Sequence, residues 1–172
     1  TAYALTGDGR IVAWGANDQG QATIPAGLSD VTKIAAGRGH ALALKGDGTV
    51  VAWGRNDLGQ ATVPAGLTGV TQIAAGDYHS VALKSNGTVV AWGANWTGQT
   101  TVPAGLANVV QISAEGDRTL AFKADNSIVN WGFNPDNITP PPAPGNVLGI
   151  AAGAKHGLAL VRKIQIAIDG DI

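Results

Sequence analysis

The string VVAWGRNDLGQATVPAGL, from Val50 to Leu67, occurs almost unchanged at two other places in the chain. It reads IVAWGANDQGQATIPAGL at residues 11–28 and VVAWGANWTGQTTVPAGL at residues 89–106. Each copy begins with a short apolar run that ends in Trp-Gly, and it continues through a polar segment to Pro-Ala-Gly-Leu. A long motif that recurs at a fixed interval indicates a repeat architecture, in which one structural unit is copied along the chain.

The period of the repeat is 39 residues. It is marked by Trp-Gly pairs at Trp14, Trp53, Trp92 and Trp131. His40 and His79 keep the same interval, and His156 follows them after a one-residue deletion. The pattern predicts repeat units near residues 1–30, 31–69, 70–108, 109–146 and 147–160. Residues 161–172 depart from the pattern and are interpreted as a divergent final strand or as the start of a following module. In the second case, Asp169 and Asp171 would belong to the beginning of a calcium-binding loop.

Each unit has the pattern of three short β-strands. In the second unit, two apolar runs lie at residues 31–37 and 40–45, and a third lies at residues 49–54. The turn at residues 46–48 is Gly-Asp-Gly, whose residues tolerate the backbone angles of a tight hairpin. No run is long enough for a convincing helix, so the chain is predicted to be all-β.

The strands are apolar on both faces, as in the Val-Val-Ala-Trp segment at residues 50–53. Such strands are expected where small sheets are covered on both sides by their neighbours. Sheets stacked around an axis form a β-propeller, here of three-stranded, 39-residue blades. Four residues, Trp14, Trp53, Trp92 and Trp131, are predicted to fill the spaces between blades. An all-β solenoid is the alternative.

Composition removes several classes of function. The chain has 172 residues, of which 13% are charged and 45% apolar, and its net charge is −1. Without a basic stripe there is no electrostatic footprint for nucleic acid, and no apolar run is long enough to span a bilayer. The absence of cysteine excludes disulfides and thiolate chemistry. No catalytic pattern stands out, so the protein is predicted not to be an enzyme and to need no cofactor.

The segment from Ile73 to Leu106 resembles the repeats of the regulator of chromosome condensation family. The resemblance rests on three motifs, Gly-x-x-His-x-x-Ala-Leu, Gly-x-Val-x-x-Trp-Gly and Gly-Gln-x-x-x-Pro. The repeat length and connector look closer still to the propeller-type β-lactamase inhibitors of bacteria. The resemblance implies a seven-bladed ring, of which about four to five blades are present here. The exposed end blades would then be covered by further blades or by another chain.

The strand order places the Gly-x-x-His loops and the start of each connector on one face, called the top face. Residues at these places vary while the frame repeats, which is how a rigid array presents a binding surface on its loops. The predicted partner-binding residues are Arg38, Asp57, Leu58, Asp77, Tyr78, Trp96, Asp117, Arg118 and Lys155. The alternative is that these loop tips vary without constraint.

The recurring histidines His40, His79 and His156 are predicted to be structural and not metal ligands, because other residues replace them in other units. The preferred function is non-catalytic protein recognition by the top face, in a secreted or cell-surface bacterial protein. Three alternatives stay open. They are a glycan-binding module with Trp96 and Tyr78 as stacking platforms, a β-lactamase inhibitor, and a structural component whose partner sits at the open blade ends.

Overall fold

The protein is described by a computed structural model that covers residues 1–134, 147–153 and 157–161. All regular elements in these ranges are strands: β1 (Ala2–Leu5), β2 (Ile11–Trp14), β3 (Val31–Ala36), β4 (His40–Lys45), β5 (Val50–Gly54), β6 (Val70–Ala75), β7 (His79–Lys84), β8 (Val89–Gly93), β9 (Val109–Glu115), β10 (Arg118–Lys123), β11 (Ile128–Gly132), β12 (Val147–Ala152) and β13 (Gly157–Val161). Across these ranges, no helix is long and apolar enough to cross a membrane.

The strands form five antiparallel sheets, named here blades A to E in chain order. Blade A contains β1 and β2, blade B contains β3 to β5, blade C contains β6 to β8, blade D contains β9 to β11, and blade E contains β12 and β13. Successive blades pack face to face in an arc that does not close. The predicted all-β propeller is therefore confirmed as an incomplete ring. Within the described residues blade A has two strands and no inner one, as the alignment of repeats predicts. The divergent strand or following module expected at residues 161–172 lies, from residue 162 onwards, outside the described residues.

A tryptophan hydrogen bond joins each interior blade to the blade before it. The three indoles concerned are 7–8% exposed, and each Nε1 donates to the backbone oxygen of a glutamine in the preceding connector. The pairs are Trp53 with Gln21 at 2.8 Å, Trp92 with Gln60 at 3.0 Å and Trp131 with Gln99 at 3.0 Å. Because the indole also fills the apolar space between the sheets, one residue provides both packing and a directional bond.

The glutamines are themselves buried and shape the connectors. Gln60 and Gln99 have no exposed surface, and the side-chain oxygen of each accepts the backbone N–H two residues earlier. An asparagine closes the same loop from the other side: Asn56 accepts the N–H of Ala61 and donates to the hydroxyl of Thr62. The connector therefore presents the glutamine carbonyl to the next tryptophan in a fixed position.

Histidines make a second contact between blades. Nε2 of His40 lies 3.0 Å from Oγ of Ser80, and Nε2 of His79 lies 2.9 Å from Oγ1 of Thr119. The Ser80 hydroxyl already donates its proton to the oxygen of Gln60, so the imidazole must donate from Nε2. Nδ1 of both histidines has no hydrogen-bond partner, and burial lowers the pKa of each to about 4. These rings are neutral and lie inside the protein.

The histidine needs a glycine three residues before it. A Cβ at Gly37 would lie 2.3 Å from Cε1 of His40, and one at Gly76 would lie 2.2 Å from Cε1 of His79. Both distances are far below van der Waals contact, so the imidazole occupies the space that a side chain would take. The Gly-x-x-His motif is thus a packing requirement of the repeat.

Along the inner strands, side chains from one blade cap the free edge of the next. Gln72 donates to the oxygen of Val110 at 2.8 Å and accepts the N–H of Ile112 at 3.3 Å. Gln111 makes the same pair of bonds with the backbone of Ile150. At the equivalent position Lys33 reaches only the oxygen of Thr71. These contacts occupy backbone groups that an exposed strand edge would otherwise offer to another chain.

The two ends of the arc are apolar and exposed. Trp14 stands at the repeat position of the buried tryptophans, yet it is 55% exposed, because none of the described residues forms a connector that packs against it. Its predicted wedging role is therefore not realised within this arc. On blade E, Leu158 and Leu160 are 63% and 64% exposed, although their counterparts Leu120 and Phe122 are buried against blade E.

The tryptophan contact predicts unequal effects at equivalent repeat positions. Trp92→Ala removes a buried indole and should lower the free energy of unfolding by about 3–5 kcal/mol. Trp14→Ala, the matched control, removes an exposed indole and should change it by less than about 1 kcal/mol. Urea denaturation of both variants measures the difference, and equal losses would contradict the packing described here.

The buried histidines predict a loss of stability in mild acid. Their pKa of about 4 in the fold lies below the value of about 6.5 in the unfolded chain, so the fold favours the neutral rings. Their contribution is complete above pH 6.5 and is lost as the pH falls towards 4, on the order of 3 kcal/mol for each ring. Unfolding measured between pH 4.5 and 7.5 should show a shallower slope for His79→Gln. An unchanged slope would assign the acid sensitivity to other groups.

Candidate functional site

The loops before the middle strands and the starts of the connectors meet on the top face. In blade B the N–H of Arg55 donates to the oxygen of Gly39 at 2.8 Å, and blade C repeats this bond between Ala94 and Tyr78 at 2.9 Å. Neighbouring blades are joined here as well, since the N–H of Arg38 reaches the oxygen of Asp77 at 3.3 Å. The loops of blades B and C therefore form one continuous surface.

Five side chains from blades B and C converge on this surface around one phenol ring. The guanidinium carbon of Arg55 lies 5.1 Å above the ring centroid of Tyr78, and that of Arg38 lies 5.8 Å from the same centroid. Trp96 packs edge-on against Tyr78 with centroids 5.5 Å apart. This group is called the Tyr78 cluster and consists of Arg38, Arg55, Asp57, Tyr78 and Trp96.

An ion pair fixes one side of the Tyr78 cluster. Nε and Nη2 of Arg55 donate to the two carboxylate oxygens of Asp57 at 2.8 and 2.6 Å. These bonds, chiefly, and a third from Gln60 lower the pKa of Asp57 to about 2. The planar two-point contact orients the guanidinium over Tyr78. A glycine at position 39 leaves room for it, since a Cβ there would lie 3.3 Å from Cβ of Arg55.

Trp96 replaces a residue that has a structural task in the other connectors. Asp18 and Asp57 stand at its repeat position, and each accepts a bond from the side-chain amide of the buried glutamine. In blade C the amide of Gln99 bonds instead to Asp117 of blade D at 2.9 Å. Burial, and the nearby charge of Asp77, raise the pKa of Asp117. The carboxylate has been moved to the next blade, so position 96 is free for an exposed indole.

Apart from Asp57, which also accepts the amide of Gln60, the residues of the Tyr78 cluster are not needed by the repeat frame. The positions equivalent to Tyr78 hold Gly39 in blade B and Asp117 in blade D. Each of these blades forms a three-stranded sheet like that of blade C, so the sheet does not depend on which residue stands there. Arg55 likewise stands where other connectors have alanine or phenylalanine. Trp96 is 62% exposed, which is uncommon for so large an aromatic side chain. The aromatic and cationic groups are thus additions to the scaffold.

The structure brings together four of the nine residues that the sequence suggests for partner binding: Arg38, Asp57, Tyr78 and Trp96. Asp77 and Asp117 lie beside them on the top face, and Leu58 is half-buried in the connector of blade B, where its N–H donates to Gln60. Lys155 and His156 lie outside the described residues. Arg55 was not among the predicted residues, and its variation among the repeats is the signal that could have identified it.

Arg118 differs from expectation. The sequence suggests a surface loop residue, whereas the side chain is 2% exposed and bonds to the oxygen of Phe133 and the side chain of Asn134. Arg118 occupies the repeat position of the histidines, and Glu115 occupies that of their glycine. Because no imidazole is present, a side chain at position 115 is tolerated. The pair replaces Gly-x-x-His as a unit, and it takes the side chain of Arg118 away from the surface of the top face.

A metal centre finds no support in the part of the chain that the structure describes. No three histidine, cysteine, aspartate or glutamate side chains within it are grouped so that they could hold a metal ion.

Comparison with known proteins identifies the repeat. Residues 31–60 and 70–99 match the family described as "Regulator of chromosome condensation (RCC1) repeat". The chain thus contains repeats of this family at two places, as its motifs predict. A comparison with curated proteins gave no significant match.

Solved structures share the fold. The receptor kinase CR4 ectodomain of Physcomitrella patens aligns at 24% identity with a TM-score of 0.73, covering 93% of this chain and 46% of that one. Yeast RCC1 (Prp20), solved bound to Kap60, aligns at 20% identity with a TM-score of 0.73, covering 91% of this chain and 51% of that one. Human WBSCR16 aligns at 19% identity with a TM-score of 0.74, covering 92% of this chain and 56% of that one. The chain spans about half the length of these structures. The likeness supports the propeller fold; a special relation to β-lactamase inhibitors stays a prediction.

The exchange at position 96 predicts a measurable coupling. Asp117→Ala leaves the buried amide of Gln99 without its acceptor and should cost about 1–3 kcal/mol of unfolding free energy. Trp96→Asp restores the carboxylate found in blades A and B, so Asp117→Ala should cost much less in that background. A double-mutant cycle by urea denaturation measures the coupling. Additive effects would show that Gln99 is not shared in this way.

Proposed function

We propose that this chain is a non-catalytic recognition module that binds another protein through the Tyr78 cluster on the top face of the propeller arc. The observation that carries the proposal is the exposed indole of Trp96 beside Tyr78, an aromatic pair that the other blades lack. Tryptophan, tyrosine and arginine are the side chains most enriched at the energetic centres of protein interfaces.

The geometry of the Tyr78 cluster favours binding because its members are already in place. Tyr78 has few rotatable bonds and contacts Arg38, Arg55 and Trp96, while Asp57 holds Arg55. Side chains that are ordered before binding lose less conformational entropy when a partner arrives. An aromatic pair surrounded by hydrogen-bonding groups suits a protein surface of mixed polarity.

Relatives support a protein partner in general terms. Yeast RCC1 (Prp20), which shares the fold at 20% identity, was solved bound to the protein Kap60. The likeness concerns the scaffold, and the residues that we assign to recognition are particular to this chain.

A glycan-binding module is supported less well by the arrangement of the rings. Carbohydrate stacking needs open aromatic faces, but two guanidinium groups lie over the ring of Tyr78, and Trp96 packs against it. Only the indole of Trp96 remains available as a platform. β-Lactamase inhibition rests on the resemblance of the repeat alone, and an inhibition assay tests it directly.

The exposed blade ends support a further contact apart from the top face. We propose that the faces around Trp14, on blade A, and around Leu158 and Leu160, on blade E, are covered by further blades or by another chain. These residues stand at positions that are buried between blades elsewhere in the arc. A purely structural module would use these ends and not the Tyr78 cluster.

We also propose that the module lies outside the cell or at its surface. The proposal is supported by the CR4 structure, the ectodomain of a receptor kinase, which shares the fold. A bacterial source stays a prediction from the repeat pattern.

The proposal predicts site-specific capture of one partner. A photo-reactive phenylalanine analogue at position 96 should cross-link a discrete protein in an extract of the source organism. The same analogue at Asp18, the equivalent repeat position outside the cluster, should not. With the identified partner, Trp96→Ala and Tyr78→Ala should each weaken binding at least about tenfold, measured by calorimetry.

Three outcomes would count against the proposal. Unchanged affinity of the double variant Trp96→Ala/Tyr78→Ala, with loss of binding in Trp14→Ala or Leu158→Ser, would assign association to the blade ends. Binding on a glycan array that depends on Trp96 would assign a carbohydrate ligand. Equal cross-linking from positions 96 and 18 would show that capture is unspecific.

A further inference from the structure

We infer that the Tyr78 cluster selects a partner segment in which an aspartate or glutamate lies within about three residues of a bulky apolar side chain. The carboxylate binds Arg38 and the apolar group packs on Trp96. This inference rests on the proposed function, because it specifies the chemistry of the partner at the same site.

The charges of the Tyr78 cluster point to Arg38 as the carboxylate-binding group. Arg55 is already neutralised by its two-point contact with Asp57. Among the described residues, the ion pairs involve Arg10, Lys45, Arg55 and Lys123, and none involves Arg38. Arg38 is exposed and touches Tyr78 through its guanidinium, which leaves its N–H groups free for a planar acceptor.

The apolar half of the site is the indole of Trp96. It is 62% exposed even though it packs against Tyr78, so a large part of its surface faces solvent. Covering such a surface with an apolar side chain of a partner contributes roughly 25 cal/mol per Å². The two halves therefore recognise different chemical groups next to each other.

The distance between the two halves sets the spacing in the partner. The centroid of Tyr78 lies 5.8 Å from the guanidinium carbon of Arg38 and 5.5 Å from the centroid of Trp96. The separation of Arg38 and Trp96 is therefore at most about 11 Å, which an extended segment spans in about three residues at roughly 3.3 Å each. A carboxylate and an apolar group on one short segment can reach both.

The acidic neighbours limit the kind of anion that fits. Asp57 lies within the cluster, and Asp77 lies close enough to Asp117 for its charge to raise the pKa of that residue. A single carboxylate of the partner brings only one negative charge near these acidic residues, and Arg38 neutralises it. Polyanions such as sulfated glycans or nucleic acid bring several charges and would be repelled by these groups.

The test uses short random peptides displayed on phage and selected on the full chain. Peptides retained by the wild type and lost on the Trp96→Ala/Tyr78→Ala variant should be enriched in an acidic residue within three positions of an aromatic or leucine residue. For the strongest peptide, Arg38→Gln should weaken binding at least about tenfold by fluorescence polarisation. Arg10→Gln, the control, removes an exposed arginine of the β1–β2 turn and should leave binding unchanged.

Charge exchange separates a direct contact from a structural effect. Arg38→Glu should abolish binding of the acidic peptide, and replacement of the peptide's acidic residue by lysine should restore it. Binding that needs Trp96 but is unaffected by Arg38→Gln overturns the inference and leaves the proposed function standing. The inference is also overturned if no peptide is enriched, or if a heparin oligosaccharide binds in an Arg38-dependent manner in place of peptides. Enrichment that persists on the Trp96→Ala/Tyr78→Ala variant overturns it as well, and this result also counts against the proposed function.

Discussion

The hydrogen bond from a tryptophan indole to a glutamine carbonyl in the preceding connector is the contact on which the arc depends. Its donor belongs to one blade and its acceptor to the connector before that blade, so a blade is complete only in the presence of its neighbour. The buried glutamine side chain fixes the connector that carries the acceptor. One indole thereby provides both the apolar packing between two blades and a hydrogen bond that fixes their orientation. For this reason, sheets of only three strands can stack in a defined way.

The other contacts between blades share this form. The histidine pairs with a hydroxyl of the next blade near the top face, and the glutamines of the inner strands cap the edge of the next blade. Together they leave the side chains of Arg38, Tyr78 and Trp96 at the loop tips with no part in holding the frame. The Tyr78 cluster is formed at these positions. The frame accommodates Trp96 because the amide of Gln99 bonds to Asp117 of the next blade instead of to a carboxylate at position 96.

The frame could be predicted from sequence because its physical requirements recur with every unit. The turns, the strands and the buried tryptophans at Trp53, Trp92 and Trp131 follow from the period. The Tyr78 cluster could be predicted only in part, because it joins loops of different blades whose distance the period does not give. Tyr78 and Trp96 were expected at the surface as single residues, whereas the role of Arg55 appears only once the blades are placed side by side.

Arg118 illustrates the opposite limit. A charged residue in a loop suggests exposure, but its repeat position is that of a buried histidine. The repeat position of the glycine holds Glu115 in this unit, and a Cβ at that position would clash with an imidazole. The two replacements together therefore indicate that the residue at the histidine position is packed differently in this blade. Such paired changes are readable from sequence when repeats are compared position by position.

The division of each tryptophan bond between neighbouring units has a consequence for how such arrays change over evolutionary time. A tandem duplication of 39 residues copies a donor and an acceptor together, whatever residue the duplicated segment begins with. The inserted unit therefore keeps a tryptophan bond to the units on both sides without any compensating substitution. Arrays of this kind can gain or lose blades in a single genetic event, while the loop tips of the new copy diverge later.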